Sequence, residues 1–337
     1  MFLEVLKIST ISDVAKLAGL SVSTVSRVIN NKKYVKDEKK AAVLAAMKEL
    51  NYQPSLAARQ LRGQQSKTIG VIVPRITNPF FSYLVNEIQQ QSYKHGYQIM
   101  IFQSDEDVEK EASFFDLLAQ KQIDGVILCA FESRLEVLEK YSEYGPIIVY
   151  NKSSENSTIC SIDMDQGKGA YLGIKYLLDK GYRNIAYCTG GRFVPNERGE
   201  DRDKGYLKAL QEYNLNVNRD WIFCDQHTIE DGKKLAKKFK EMAPIPEALF
   251  TGSDEVAAGF IIESKRLGIS IPNDVAVMGF DNQNLAELTT PSITTIAQPI
   301  KALGIQTIEY MIALLENKNY EVNYDNLEMK VVIRESA

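Results

Sequence analysis

The sequence predicts two fold classes in one chain: an all-α helix-turn-helix head and an α/β body of two parallel-sheet lobes. Helical periodicity fills the first fifty residues, whereas short β-branched runs alternate with amphipathic stretches from Lys67 onward. The charge divides at the same place, because residues 1–65 hold 11 basic and 5 acidic residues while the whole chain has a net charge of −4. A length of 337 residues suits two or three domains.

The composition is that of a globular protein, with 45% hydrophobic and 25% charged residues. No apolar run reaches the roughly 18 residues of a membrane span, and no signal-peptide pattern opens the chain, so we expect a cytoplasmic protein without membrane contact. The four cysteines lack CxxC spacing, which indicates buried thiols rather than a metal site or a disulfide framework. They are Cys129, Cys160, Cys188 and Cys224. No cofactor is expected.

The head has the spacing of a helix-turn-helix. Ser12 is predicted to cap a first helix over 13–18, and Ser21 to cap a second helix over 22–30. A third helix is predicted over about 38–50, with four residues in the core: Val43, Leu44, Met47 and Leu50.

The outward face of the second helix is predicted to contact DNA. Short polar side chains at a helix N-terminus let the backbone approach DNA closely, and an arginine further along can reach a guanine edge or a phosphate. Val22 has an alternative interpretation, because an apolar residue can also pack in the core. The residues of this face are Val22, Ser23, Thr24, Ser26 and Arg27.

The segment 54–63 is predicted to be the second DNA contact. A helix of about nine residues is unstable alone in water, so it should order only on DNA, against the same segment of a second copy. Leu61 lies between basic residues and has little core to join, although docking on the body remains an alternative. Ala58 supplies a small surface for contact with the partner helix or a groove.

Two sets of apolar runs predict two similar lobes in the body. The first set is TIGVIVP, QIMIFQS, DGVILCA and PIIVY, and the second is NIAYCTG, DWIFCD, EALFTGS and VAVMGF. Helices are predicted between them, over 80–95, 108–121, 166–180 and 254–267. Ligands of open parallel sheets bind beyond the carboxyl ends of the strands, where this sequence carries aromatic and hydrogen-bonding side chains. That mixture indicates a small polyhydroxylated ligand.

The head and the body together resemble the LacI/GalR family of bacterial transcription regulators. The run TISDVAKLAGLSVSTVSRVINN is followed by LNYQPSLAARQL, and the landmarks TNPFF, DGVIL, RDKGY, SDEVAAG, VAVMGFDN, TTIAQP and VVIRES follow downstream. The resemblance covers the chain apart from the first eight residues. It implies that the body is similar to periplasmic binding proteins.

The resemblance also implies roles for single residues in DNA binding. Val22 and Ser23 would read bases in the major groove, together with Arg27, while Thr24 and Ser26 would lie nearer phosphates. Leu61 would insert into the minor groove at the centre of the operator and kink the duplex.

For the ligand, the resemblance implies two hydroxyl-binding residues, Arg202 and Asp281, in a cleft lined by Phe80 and Phe81. Weaker candidates are Asn151, Asp163 and His227. Alternatives exist for several of them: Phe81 could belong to the lobe core, Asp281 to a turn and His227 to the surface. Asp254 is interpreted as a helix N-cap rather than a ligand contact. Met164 stands where family members commonly have asparagine.

The implied organisation has four parts. Residues 1–52 form the head, 53–66 the hinge helix and linker, 67–162 with about 292–320 the N-terminal lobe, and 163–291 with about 321–337 the C-terminal lobe. We expect an effector-controlled homodimer that binds a pseudopalindromic operator and represses carbohydrate-utilisation genes, with a sugar or sugar derivative as effector.

Other functions were weighed against this one. A phosphoprotein corepressor and a nucleobase or nucleoside effector are the alternatives within the same family. An enzyme is not expected, because GKGAYLG lacks the dinucleotide-binding spacing and the chain has only two histidines. A transport receptor would need a signal peptide and would lack the DNA-binding head.

Overall fold

The computed structural model describes residues 9–29, 34–52, 65–151, 159–194 and 201–337. These residues belong to two units, one up to Ser66 and one from Lys67 to Ala337. The hinge predictions for Ala58 and Leu61, and the end of the second helix at Asn30, lie outside the described residues. Within the described ranges, no helix is long and apolar enough to cross a membrane.

The first unit contains three helices around a small apolar core. They are α1 (Ile11–Ala18), α2 (Val22–Ile29) and α3 (Asp37–Glu49). The buried core residues are Val14, Ala15, Val25, Val43 and Ala46. Leu44, expected in this core, is 60% exposed, because Val43 and Ala46 face the other two helices instead.

The cap of α1 differs from the prediction. Thr10, not Ser12, is the N-cap: its Oγ1 accepts a hydrogen bond from the Asp13 N–H at 3.3 Å, and Asp13 Oδ2 accepts from the Thr10 N–H at 2.8 Å. This reciprocal capping box satisfies two backbone donors. Ser12 cannot be the cap because it already lies inside the helix. Gly19, with φ of 63°, ends the helix in the left-handed conformation.

The first lobe of the body is a five-stranded parallel sheet with strand order β2-β1-β3-β4-β5. Its strands are β1 (Thr68–Val73), β2 (Gln98–Gln103), β3 (Gly125–Leu128), β4 (Ile147–Tyr150) and β5 (Cys160–Ile162). Helices α4 (Pro79–Lys94), α5 (Val108–Ala119) and α6 (Leu135–Ser142) connect them. β1, β3 and β4 are almost wholly buried, which explains their continuous apolar sequences.

The second lobe is a six-stranded sheet with strand order β11-β10-β9-β8-β6-β7. Its strands are β6 (Ile185–Cys188), β7 (Ile222–Phe223), β8 (Ala248–Phe250), β9 (Ala276–Asp281), β10 (Thr294–Ala297) and β11 (Lys330–Val332). The helices are α7 (Gln166–Asp179), α8 (Asp201–Glu212), α9 (Ile229–Glu241), α10 (Asp254–Leu267) and the short α11 (Leu285–Leu288). Single 3₁₀ turns lie at Arg219–Trp221 and Tyr324–Leu327.

The chain returns to the first lobe later than predicted. β10 pairs in parallel with β9 of the second sheet, so the expected boundary at about 292 was wrong for this strand. Of the helix and strand in the predicted return segment, about 292–320, only the helix α12 (Ile300–Leu315) lies in the first lobe, where it packs on α4. β11 is antiparallel to β10, so the second sheet is mixed rather than wholly parallel.

A close helix contact in the second lobe depends on Gly259 of α10. A Cβ at this position would overlap the backbone carbonyl of Ile229 at the start of α9, and a backbone neighbour cannot move away as a side-chain end can. α10 of this pair packs on β9, the strand that ends at Asp281.

We therefore expect Gly259→Ala to lower the free energy of unfolding by about 2 kcal/mol, since overpacking forces the two helices apart. Urea denaturation of the variant, with the exposed Lys265→Ala in the same helix as control, measures the effect. Equal stability of the two variants would contradict the close contact.

Candidate functional site

A cavity of about 650 Å³ lies at the carboxyl ends of the parallel strands of both lobes. Loops after β1, β3 and β4 of the first lobe, and after β6, β7 and β8 of the second, contribute its walls. A side pocket of about 220 Å³ adjoins this cavity and shares six of the residues that line the cavity. Six of the predicted ligand residues line the cavity: Phe80, Phe81, Asn151, Arg202, His227 and Asp281.

Arg202, in the first turn of α8, is held on three sides. Its Nε donates to Gln166 Oε1 at 2.9 Å and its Nη1 donates to the Gly252 carbonyl at 2.9 Å. The guanidinium lies over the Phe280 ring, 3.7 Å from the centroid. These contacts fix the orientation of the guanidinium at the cavity wall.

Asp281 ends β9 as a nearly buried carboxylate, 5% exposed. Its Oδ1 accepts from Gln298 Nε2 at 2.6 Å and its Oδ2 from Gln283 Nε2 at 3.1 Å. Burial raises the pKa of Asp281 to about 6, although Arg202 and the two amides act in the opposite direction. The residue has φ of 101°, so a strained backbone delivers this carboxylate to the cavity.

Gln298 and Gln166 join the two charged residues into one chain of hydrogen bonds. Gln166 Nε2 donates to Gln298 Oε1 at 2.9 Å, so Arg202 is linked to Asp281 through two buried amides. Neither glutamine was predicted from the sequence. The only signal available was their position, one at the start of a predicted helix and one in the motif TTIAQP.

Asp254 is a buried hydrogen-bond centre and not a helix cap. Ser253 caps α10, since its Oγ accepts from the Val256 N–H at 3.4 Å. Asp254 Oδ2 accepts from the Gln283 N–H and Oδ1 from Thr295 Oγ1, both at 2.6 Å. The carboxyl thereby holds the turn that follows Asp281. Burial and the neighbouring Asp281 raise the pKa of Asp254 to about 8.

The first lobe contributes an aromatic wall. The rings of Phe80 and Phe81 meet edge to face, with centroids 5.1 Å apart, at the start of α4. Asn78 caps this helix through a hydrogen bond from the Phe80 N–H to its Oδ1 at 3.0 Å. Asn151 Oδ1 accepts from the Met164 N–H at 2.7 Å, and both side chains line the cavity.

Asp163 is not among the residues that line the cavity, so the structure does not bring it together with the other predicted ligand residues. Its Oδ2 accepts from Ser161 Oγ at 3.2 Å, and the adjacent Met164 occupies the wall instead. His227 does line it, beside Gly190. Across the described residues, no group of three His, Cys, Asp or Glu side chains is arranged to hold a metal ion.

In the head, α2 presents the predicted DNA-binding residues at different depths. Val22, Ser23 and Arg27 are exposed, whereas Thr24 and Ser26 are partly buried. Val22 is 42% exposed, so it is not part of the buried core of the three helices. Ser21 Oγ accepts from the Thr24 N–H at 3.3 Å and caps the helix as predicted.

Known proteins match both units. The family model described as bacterial regulatory proteins, lacI family, matches residues 10–55, and that of the periplasmic binding protein-like domain matches residues 174–337. The NTD biosynthesis operon regulator NtdR of Bacillus subtilis strain 168 is 38% identical over 329 residues, which cover 97% of this chain and 99% of that protein. The chain belongs to the LacI family of bacterial regulatory proteins. The family suggested by the head motif is thus confirmed.

Solved structures of similar proteins match this fold. The lac repressor dimer bound to operator and the anti-inducer ONPF has a TM-score of 0.83 and 25% identity, covering 98% of this chain and 99% of its own. A LacI-family regulator from Lactobacillus casei with bound sucrose has a TM-score of 0.74 and 31% identity, covering 80% of this chain and 99% of its own. The present LacI-family chain is a DNA-binding transcription repressor with a periplasmic-binding-protein-like body.

Asp254→Asn should flatten the pH dependence of unfolding. The folded carboxyl keeps its proton up to about pH 8, whereas the ordinary value is 3.8. The folded state therefore binds more protons between these values, and the stability from this group falls as the pH rises from about 4 to about 8, by at most about 1.4 kcal/mol per pH unit.

Urea denaturation at pH 5, 6 and 7 measures this slope. An asparagine oxygen can still accept from the Gln283 N–H, and the Thr295 hydroxyl, which donates to Asp254 Oδ1, can rotate to accept from the new amide, so the variant keeps the turn without titrating. The exposed Asp220→Asn serves as control and should keep the wild-type slope. The same slope in all three proteins would contradict a proton held on Asp254.

Proposed function

We propose that this repressor acts as a dimer on a pseudopalindromic operator of carbohydrate-utilisation genes, and that a sugar or sugar derivative in the cavity sets its operator affinity. The observation that carries the ligand class is the fixed pair of Arg202 and Asp281 opposite an aromatic wall. Carboxylate, guanidinium and amide groups bind hydroxyls, while aromatic rings cover the apolar face of a sugar ring. The sucrose bound to the regulator from Lactobacillus casei supports the same class.

The volume of the cavity supports a ligand of one or two sugar rings, since small-molecule sites commonly measure a few hundred Å³. The polar groups are preorganised, because Gln166 and Gln298 hold Arg202 and Asp281 before any ligand arrives. Preorganised groups lose little side-chain entropy on binding, which raises affinity.

The DNA contacts follow from the head. In this proposal Val22 and Ser23 read base edges in the major groove, Thr24 and Ser26 lie near phosphates, and Arg27 contacts a guanine or a phosphate. The excess of basic residues before Lys67 supplies the electrostatic attraction to the duplex. Ala58 and Leu61 would complete the contact in the minor groove.

Dimerisation is supported by apolar side chains that the described residues leave exposed. Met100 and Ile101 lie on β2, the edge strand of the first sheet, and are 39% and 46% exposed. Exposed apolar edge strands are normally covered, because they template association. The structurally similar lac repressor is a dimer on its operator, so a second copy of this chain is the proposed cover.

A ligand controls such a repressor only through its different affinities for two lobe arrangements. If it prefers the arrangement that separates the two heads, it acts as an inducer. If it prefers the arrangement that brings them to half-site spacing, it acts as a corepressor. Either way, the operator changes the ligand affinity by the same factor as the ligand changes the operator affinity.

Arg27→Ala should abolish specific operator binding while the protein remains a dimer. Arg27 is exposed on α2, so truncation removes a DNA contact without opening the core. Fluorescence anisotropy on a fragment selected from a random DNA library measures affinity, with the exposed Lys48→Ala of α3 as control. Unchanged affinity of the Arg27 variant would refute the contact.

Asp281→Asn should weaken sugar binding at least tenfold and leave operator binding intact. The amide cannot accept from Gln298 and Gln283 and also bind two hydroxyls of a ligand, because one of its oxygens is replaced by a donor. Thermal melting with a panel of millimolar sugars measures the response. If a sugar stabilises the variant as much as it stabilises the wild type, Asp281 is not a ligand contact.

A further inference from the structure

The cavity has an unbalanced set of charges. Among the described residues that line it, four carry carboxylates and one carries a guanidinium, and a charged His227 would still leave the acids in excess. The acidic residues are Glu106, Glu132, Asp201 and Asp281, of which Asp201 forms an ion pair with Lys204 at 3.0 Å. A ligand that enters this space therefore meets a negative potential in a site partly shielded from water.

Arg202, the guanidinium of the wall, is already engaged. Its Nε and Nη1 donate to Gln166 and Gly252, its face covers Phe280, and its charge faces Asp281. A phosphate or carboxylate is bound best by a pair of parallel N–H donors from one guanidinium. Because Nε and Nη1 are used in this way, Arg202 can offer an anion only its remaining Nη N–H groups, and the carboxylates of the same cavity oppose an anion there.

Two of the acids lie where the cavity meets the side pocket. Glu106 and Glu132 line both spaces, together with Phe81. Arg75 also lines the side pocket and approaches Glu106 to 3.8 Å, but both side chains are substantially exposed, so this pair is weak and Glu132 keeps the junction acidic.

The backbone of Glu132 is held by a buried carboxylate. Glu111 is fully buried and accepts from the Glu132 N–H at 2.9 Å, the Ser133 N–H at 3.0 Å and Ser133 Oγ at 2.5 Å. The loop that carries the Glu132 side chain is therefore held at the junction of the two spaces by a buried carboxylate.

The aromatic wall completes an environment suited to a cation. Phe80, Phe81 and Tyr150 line the same cavity as the acids, and ammonium groups are attracted both to ring faces and to carboxylates.

We propose that the effector of this repressor is basic: a polyhydroxylated ligand whose ammonium group binds between Glu106 and Glu132, while sugar phosphates and sugar acids are rejected. This inference rests on the proposed sugar-sensing function and narrows its ligand class. The hydroxyls would contact Arg202 and Asp281, and the ammonium group the junction with the side pocket.

The test is thermal melting and calorimetry of the full-length protein with sugars of matched shape. The glucosamine disaccharide from chitosan carries two amines, its N,N′-diacetyl form keeps the nitrogens without charge, and cellobiose has hydroxyls in their place. Glucose, glucosamine and glucose 6-phosphate form a second set. We expect the amine to bind at least tenfold more tightly than its neutral counterparts, more weakly at high salt, and glucose 6-phosphate to show no binding.

Glu132→Gln and Glu106→Gln should each reduce the preference for the amine about tenfold and leave neutral sugars unaffected. The exposed Glu136→Gln on the neighbouring helix α6 is the matched control and should keep the preference. The basic effector is overturned if a neutral sugar or the phosphate binds as tightly as the amine or more tightly. It is also overturned if the preference for the amine survives both substitutions. Either result leaves the sugar-sensing function standing. No response to any of these sugars overturns the sugar-sensing function itself, and the basic effector with it.

Discussion

The burial of two carboxyl groups, those of Asp281 and Asp254, is the constraint on which the rest of this site depends. A buried carboxyl group is stable only when its oxygens are hydrogen-bonded, and here amides, a hydroxyl and a backbone N–H provide those bonds. The same bonds hold the left-handed backbone of Asp281 and Asn282, with φ of 101° and 55°. Without them the strained turn would relax and the carboxylate of Asp281 would leave the cavity wall.

The polar chain also lies where the two lobes are connected. Gln166 begins α7 of the second lobe directly after β5 of the first, and Gln298 lies between β10 of the second lobe and α12 of the first. The hydrogen bond between these two glutamines therefore links two of the segments that connect the lobes. Arg202 and Asp281 lie at the two ends of this chain of hydrogen bonds. In the proposed function, a ligand bound to Arg202 and Asp281 would act on the segments that join the two lobes, which would give a physical route from ligand to operator affinity.

Much of this architecture is predictable from sequence because its signals are local. β1, β3 and β4 are buried apolar runs, and the residues at their carboxyl ends converge by the geometry of parallel sheets, so Phe80 and Asn151 could be placed near a ligand. Strands β5, β10 and β11 have the sequences CSI, TTIA and KVV, in which polar or charged residues interrupt the apolar ones, so they gave no continuous apolar run to detect. Gln166 and Gln298 were missed for another reason: they are 132 residues apart, and an amide has no periodic pattern that marks its partner. Asp254 was interpreted as a helix cap because the groups that donate to its carboxyl, the Gln283 N–H and Thr295 Oγ1, are far from it in the sequence.

The coupling between cavity and head is tested most directly by operator binding at fixed salt, with and without a saturating ligand found by melting. Fluorescence anisotropy of the full-length protein on a selected operator fragment should show a change in Kd of at least fivefold, and the operator should change the ligand Kd by the same factor. An operator Kd that stays the same at saturating ligand, in a protein that binds both, would show that the cavity does not control the head.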